Sequence, residues 1–117
     1  MSRAKGQVIK MSTEYMHIGI PVTNKKPGMN YVEAMKLWMG DPNDHEYKIE
    51  YLKFEEGTPF PEVMHRAPHV AFKVDDIEKH LNDADETIFP PTEIGPGIRI
   101  AFAIKDGAIL EFYEQAE

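Results

Sequence analysis

Alternation of apolar and other residues at period two recurs along this chain and leaves room for one well-marked helix. Met16, Ile18, Ile20 and Val22 alternate with Tyr15, His17, Gly19 and Pro21. Val70, Phe72 and Val74 alternate with His69, Ala71 and Lys73, and Ile98, Ile100, Phe102 and Ile104 with Arg99, Ala101, Ala103 and Lys105. Runs of this kind are strands with one buried face. Ala108 to Tyr113 supplies another, joined to the run before it by Lys105-Asp106-Gly107, in which Asp-Gly is a hairpin turn. The helix starts at Asp76, with Asp75 placed to cap it, Glu78 completing a capping box, and Ile77 and Leu81 on its inward face.

The remaining segments read as connections and weaker strands. Residues 1–13 are a polar, non-periodic lead-in, and Thr23 to Gly28 breaks the first strand. Tyr31 to Met39 fits a strand, although Val32, Met35 and Met39 also satisfy a helical stripe; with Glu46 to Glu55 it would form a hairpin around the turn Asp41-Pro42-Asn43-Asp44. Glu56 to Pro61 is a loop, Glu62 to Arg66 a brief helical turn, Asn82 to Asp85 ends the helix, and Thr87 to Phe89 is a short strand before Pro90-Pro91.

Composition narrows the functional classes. A length of 117 residues and 42% hydrophobic content fit one domain, 1–117, with a real core. No apolar run approaches the roughly 20 residues of a membrane helix, and no apolar segment of a signal peptide is present, so no membrane partner and a cytoplasmic location are expected. Cysteine is absent, so any metal would need His, Asp or Glu ligands. The formal charge of -7, without clustered Lys and Arg, argues against nucleic acid as a partner.

His17 and His69 each step out of an apolar set onto the opposite face of their strand. Glu111, in Ile109-Leu110-Glu111-Phe112-Tyr113, and Glu50, in Tyr47-Lys48-Ile49-Glu50-Tyr51-Leu52, do the same. An imperfect internal repeat connects them: each histidine opens one half of the chain and each glutamate lies on the strand that closes it. On the face away from the helix these four would sit with the small side chains Gly19, Ala71, Ala101 and Ala103, which leave room for something else. Two imidazoles and two carboxylates form a mixed N,O set suited to Zn, Ni, Co, Fe or Mn.

Plainer explanations exist for each residue. A strand histidine is commonly a hydrogen-bonded structural group, and Glu50 sits among Glu46, Glu55 and Glu56, as an acidic surface would. His45, His65 and His80 read as surface residues. Arg99 is a candidate for substrate binding, holding a carboxylate or phosphate, or else makes an ordinary ion pair. Met29, Met35, Met39 and Met64 either line an adaptable pocket or fill the core. Tyr113 and Trp38 either face a ligand or pack.

His-Ile-Gly-Ile at 17–20, Pro-His-Val-Ala-Phe-Lys-Val-Asp-Asp-Ile-Glu at 68–78, Gly-Ile-Arg-Ile-Ala-Phe at 97–102 and Leu-Glu-Phe at 110–112 resemble the vicinal oxygen chelate superfamily. That superfamily includes glyoxalase I, methylmalonyl-CoA epimerase, extradiol dioxygenases, fosfomycin-resistance enzymes and bleomycin-resistance proteins. The resemblance implies an α+β fold of paired βαβββ modules, 14–67 and 68–117, forming a curled mixed sheet around a divalent metal. His17, Glu50, His69 and Glu111 fall on the ligand positions, on the first and last strand of each module. The first module is degenerate, its helix reduced or missing, and a shift of one strand there would nominate Glu62 in place of Glu50.

The implied activity is that of a divalent-metal-dependent, glyoxalase-like lyase or an isomerase/epimerase, acting on a small substrate that chelates the metal through neighbouring oxygens. Glu111 first and Glu50 second would be the catalytic, proton-carrying carboxylates, and a homodimer is expected. Non-catalytic small-molecule binding, as in bleomycin-resistance proteins, is the alternative on the same fold, and the full set of four ligands favours the enzyme.

Overall fold

The computed structural model describes residues 12–116, so the expected lead-in falls outside it up to residue 11. Eight strands and one α-helix make up the described residues, an α+β arrangement with little helix. The strands are β1 (Thr13–Pro21), β2 (Asn30–Val32), β3 (Leu37–Met39), β4 (Ile49–Phe54), β5 (His69–Val74), β6 (Glu86–Gly95), β7 (Ile98–Lys105) and β8 (Ala108–Gln115). The helix α1 (Ile77–Asp83) follows β5, whereas Val22 to Met29, after β1, contains no helix. None of the described helices is long and apolar enough to cross a membrane.

All eight strands form one mixed sheet in the order β2-β3-β4-β1-β5-β8-β7-β6. β1 and β5 pair antiparallel at its centre, with β4 parallel to β1 on one side and β8 parallel to β5 on the other. Outward from that central pair, both flanks run first, fourth, third and second strand of their half of the chain. Twist accumulates over eight strands, and the sheet curls into a half-barrel.

The two faces are filled differently. On the outer face, Ile77 of α1 packs on Val74, Ala101, Ala103 and Phe112, and the two alanines are fully buried because the helix sits close over them. Inside the curl, Leu37 and Leu52 from one flank meet Ile100 and Phe102 from the other. Phe60, from the loop after β4, bridges them, with its ring centroid 5.9 Å from Phe54 and 5.6 Å from Phe102. Burying each such side chain contributes roughly 1.5–3 kcal/mol.

Several local expectations change. The apolar alternation of β7 points into the curl, so Ala101 and Ala103 lie under the helix and not beside His69. Tyr31 to Met39 is split: a 3-10 turn over Glu33–Met35, closed by Lys36 at φ 47°, separates β2 from β3, so the stretch is neither one continuous strand nor a helix. β3 still pairs antiparallel with β4, as the hairpin required. β6 continues through Pro90-Pro91 because it is an edge strand, where the missing N–H groups cost no ladder bond and irregular register absorbs the prolines. The helix cap is Asp76, whose Oδ1 accepts from the Lys79 N–H at 3.3 Å, one residue later than expected. His80 is buried, 7% exposed, with its ring 4.9 Å from that of Phe112. Desolvation there lowers its pKa.

Candidate metal centre inside the curled sheet

The four central strands, β4, β1, β5 and β8, each place one polar side chain inside the curl: Glu50, His17, His69 and Glu111. A register shift between Tyr15 and His17 is what directs His17 inward. It also turns Tyr15 to the outer face against Phe72, although plain alternation put Tyr15 on the same side as His17. Each imidazole then lies opposite a small residue, His17 across from Ala71 and His69 across from Gly19. A Cβ added to Gly19 would collide with the His69 ring, with Nδ1 only 2.7 Å away.

The four groups converge. His17 Nε2 is 3.1 Å from Glu50 Oε1 and 3.4 Å from Glu111 Oε1, and the same Glu111 oxygen is 3.2 Å from His69 Nε2. All four are buried, the most exposed being Glu111 at 8%. Burial alone would keep His17 neutral, but Glu111 and Glu50 beside it outweigh that and raise its pKa. Burial would likewise raise Glu111, yet His17 and His69 hold it below the usual carboxylate range.

These close approaches are ionic contacts whose N–H directions are poorly aligned for hydrogen bonding. Nε2 of His17 and both ring nitrogens of His69 are buried without a hydrogen-bond partner, which costs about 1–3 kcal/mol for each such group. Donor atoms held about 2.0–2.2 Å from a common metal stand about 3.0–3.5 Å apart, which matches the separations seen here. Ligand atoms of His17, Glu50 and His69 all lie within 4.8 Å of one another, and the cluster can hold a metal ion. Glu62, the alternative to Glu50, is exposed on a 3-10 turn.

Arg99 is not brought to this cluster. It shares the outer face with Ala101, where its Nη1 and Nη2 donate to the two Glu78 oxygens at 3.1 and 3.0 Å and its Nε donates to Glu114 Oε1 at 2.9 Å. Glu114 also accepts from the Ile77 N–H, so this network ties α1 to β7 and β8. A second carboxylate group, Asp76, Glu78 and Glu114, is therefore already occupied by a guanidinium and a helix end.

A cleft of about 380 Å³ opens beside the cluster, with Glu50, His69 and Glu111 in its wall. Met35, Met39 and Met64 line it, and Met64 also belongs to the core, so both readings of the methionines apply to that residue. Met29 does not line it, Tyr113 packs against the core, and Trp38 stacks near Tyr31 with Lys25 over its ring. Phe60, Glu93 and Ile94 complete the cleft without having been singled out from the sequence. Leu52 and Phe54 follow Glu50 at alternate positions, a signal that could have marked them as neighbours of the site.

No family model matches the chain, and no curated protein does. Among solved structures it is similar to the hypothetical protein BH1468 from Bacillus halodurans C-125, at 25% identity and a TM-score of 0.60. That likeness covers 91% of this chain and 96% of the other, so what the two share is the whole curled sheet and not a fragment of it.

Proposed function

We propose that the chain is a divalent-metal-dependent lyase or isomerase/epimerase of the vicinal oxygen chelate kind, its two halves being βαβββ modules of which the first has lost its helix. The strand order repeated on both sides of the β1–β5 pair supports the modular reading. The observation that carries the function is the convergence of His17, Glu50, His69 and Glu111 with their imidazole Nε2 atoms unpartnered. A metal held there would supply a Lewis acid for a carbonyl flanked by a second oxygen. Zn, Ni, Co, Fe and Mn all suit the donor set.

The protein's own groups supply the rest. Glu111, shared between both imidazoles, is the anchored carboxylate, and its lowered pKa makes it a weak base. Both carboxylates face the cleft, but Glu50 approaches His17 alone and is less tied to the imidazoles, so it is the better placed carrier. It takes a proton from the carbon beside the carbonyl and returns it to that carbon or its neighbour. Phe102, whose ring stands edge-on to His69 with centroids 5.2 Å apart, screens the cluster from water on one side.

A non-catalytic binder on this fold would gain nothing from two unpartnered buried imidazoles, which is why the enzyme is preferred. Metal analysis of protein purified without added metal, repeated on His69→Ala, tests the assignment. One metal per chain in the wild type and a large loss in the variant are expected; equal content in both would sink it.

A further inference from the structure

The cleft beside the cluster is apolar in its walls, and no Lys or Arg lines it. Leu37, Leu52, Phe54, Phe60, Ile100 and Phe102 are among its walls. Its acidic residues are Glu50, Glu93 and Glu111. Arg99 is engaged with Glu78 and Glu114 on the outer face, Lys53 with Glu55, Lys36 with Glu33 and Lys105 with Asp83. A carboxylate or phosphate lying in the cleft away from the cluster would lose its hydration, find no Lys or Arg among the lining residues and face Glu93. An alkyl or aryl group would meet walls that match it, with methionines able to adjust to its shape.

We infer that the ligand is a neutral apolar body, alkyl or aryl, of about ten to fifteen non-hydrogen atoms, with its oxygen pair at one end. The cleft volume of about 380 Å³ sets the size. Of the chelating compounds open to this fold, it selects against those whose remainder is polyanionic, such as glutathione adducts, CoA thioesters and sugar phosphates. The oxygen-bearing end rests on the metal reading given above; the apolar end rests on the cleft alone. Ile94, 43% exposed at the cleft, is the hydrophobic residue whose replacement should change this preference with least harm to the fold.

Two arms of one binding experiment separate the two readings. In the first, zinc-loaded protein is titrated calorimetrically with acetohydroxamate, hexanohydroxamate and the six-carbon hydroxamate ending in a carboxylate. Affinity should rise about threefold to fourfold per methylene from the first to the second. The terminal carboxylate should weaken binding at least tenfold relative to hexanohydroxamate, and Ile94→Lys should remove most of that penalty. In the second arm, chelator-treated protein is titrated with the neutral fluorophore N-phenyl-1-naphthylamine, and hexanol and hexanoate compete for it. Hexanol should displace the dye more effectively than hexanoate.

If no zinc is taken up but the dye binds and hexanol outcompetes hexanoate, the metal reading fails and the apolar ligand class stands. If zinc and the hydroxamates bind but affinity ignores chain length, or the carboxylate is tolerated in the wild type, the ligand class is overturned and the metal site survives. Absence of binding in both arms overturns both. A carboxylate penalty unchanged in Ile94→Lys would also overturn the inference, because the tail would then lie outside this cleft.

Discussion

Gly19 lies across the β1–β5 ladder from His69, and the space its side chain would fill is the space the imidazole occupies. The glycine two residues after His17 in one half of the chain thus sets the position of the histidine that opens the other half. Gly19→Ala should displace the His69 ring and lower metal affinity at least tenfold, a loss typical of disturbing the groups that orient a ligand. A metal titration checks it, with circular dichroism to confirm the sheet. Unchanged affinity in a folded variant would remove the role given to Gly19.

The two glutamates should separate in their effects. Glu111→Gln removes the carboxylate shared by both imidazoles and should weaken metal retention strongly. Glu50→Gln should retain more metal while losing turnover of a wild-type substrate by about 10²–10⁴-fold, the usual worth of a positioned proton carrier. The reverse pattern would exchange their assignments.

Metal-free protein should show a characteristic pH profile of stability. His17 is raised from 6.5 to about 10 in the fold, so its contribution is complete below pH 6.5 and is lost as pH rises through the raised value. Glu111 is lowered from 4.5 to about 2, so its contribution is complete above 4.5 and is lost as pH falls through the lowered value. These two groups therefore place maximum stability between about pH 5 and 6. Thermal melts across pH on chelator-treated protein should show an alkaline decline that flattens in His17→Gln. Added metal should stabilise more as pH rises, because ligation requires the neutral imidazole.

Arg99→Met should act on stability and leave the metal centre alone. Its contacts are with Glu78 and Glu114, on the face covered by α1, and a partly exposed network of this kind is worth about 1 kcal/mol. A lower melting temperature with unchanged metal content and unchanged hydroxamate affinity is the expected pair of results. A selective loss of ligand binding would return Arg99 to the site.

Much of the layout was legible because strand alternation, turn dipeptides and capping residues act over a few neighbouring positions. The run of β5, the Asp-Gly hairpin between β7 and β8, and the helical turn at Glu62–His65 all follow from such local signals. Alternation also separates His17, His69, Glu50 and Glu111 from their apolar neighbours. It divides a strand into two faces without saying which face is inside. In β7 one face is Ile and Phe and the other is alanine, and the apolar face looked like the one under the helix. The curl of the sheet reversed that, because the bulky residues were needed to fill the half-barrel while α1 required small ones beneath it.

The sequence by itself determined which polar residues step out of the apolar set of each strand, since residue type and period are properties of short segments. Tertiary structure decided that His17, Glu50 and His69 come together with Glu111 against both imidazoles, that Glu50 and not Glu62 joins them, and that an apolar cleft lined by no Lys or Arg opens beside them. Strand order, register and curl bring together residues up to 94 positions apart, from His17 to Glu111 (111 − 17), and no local pattern encodes that distance.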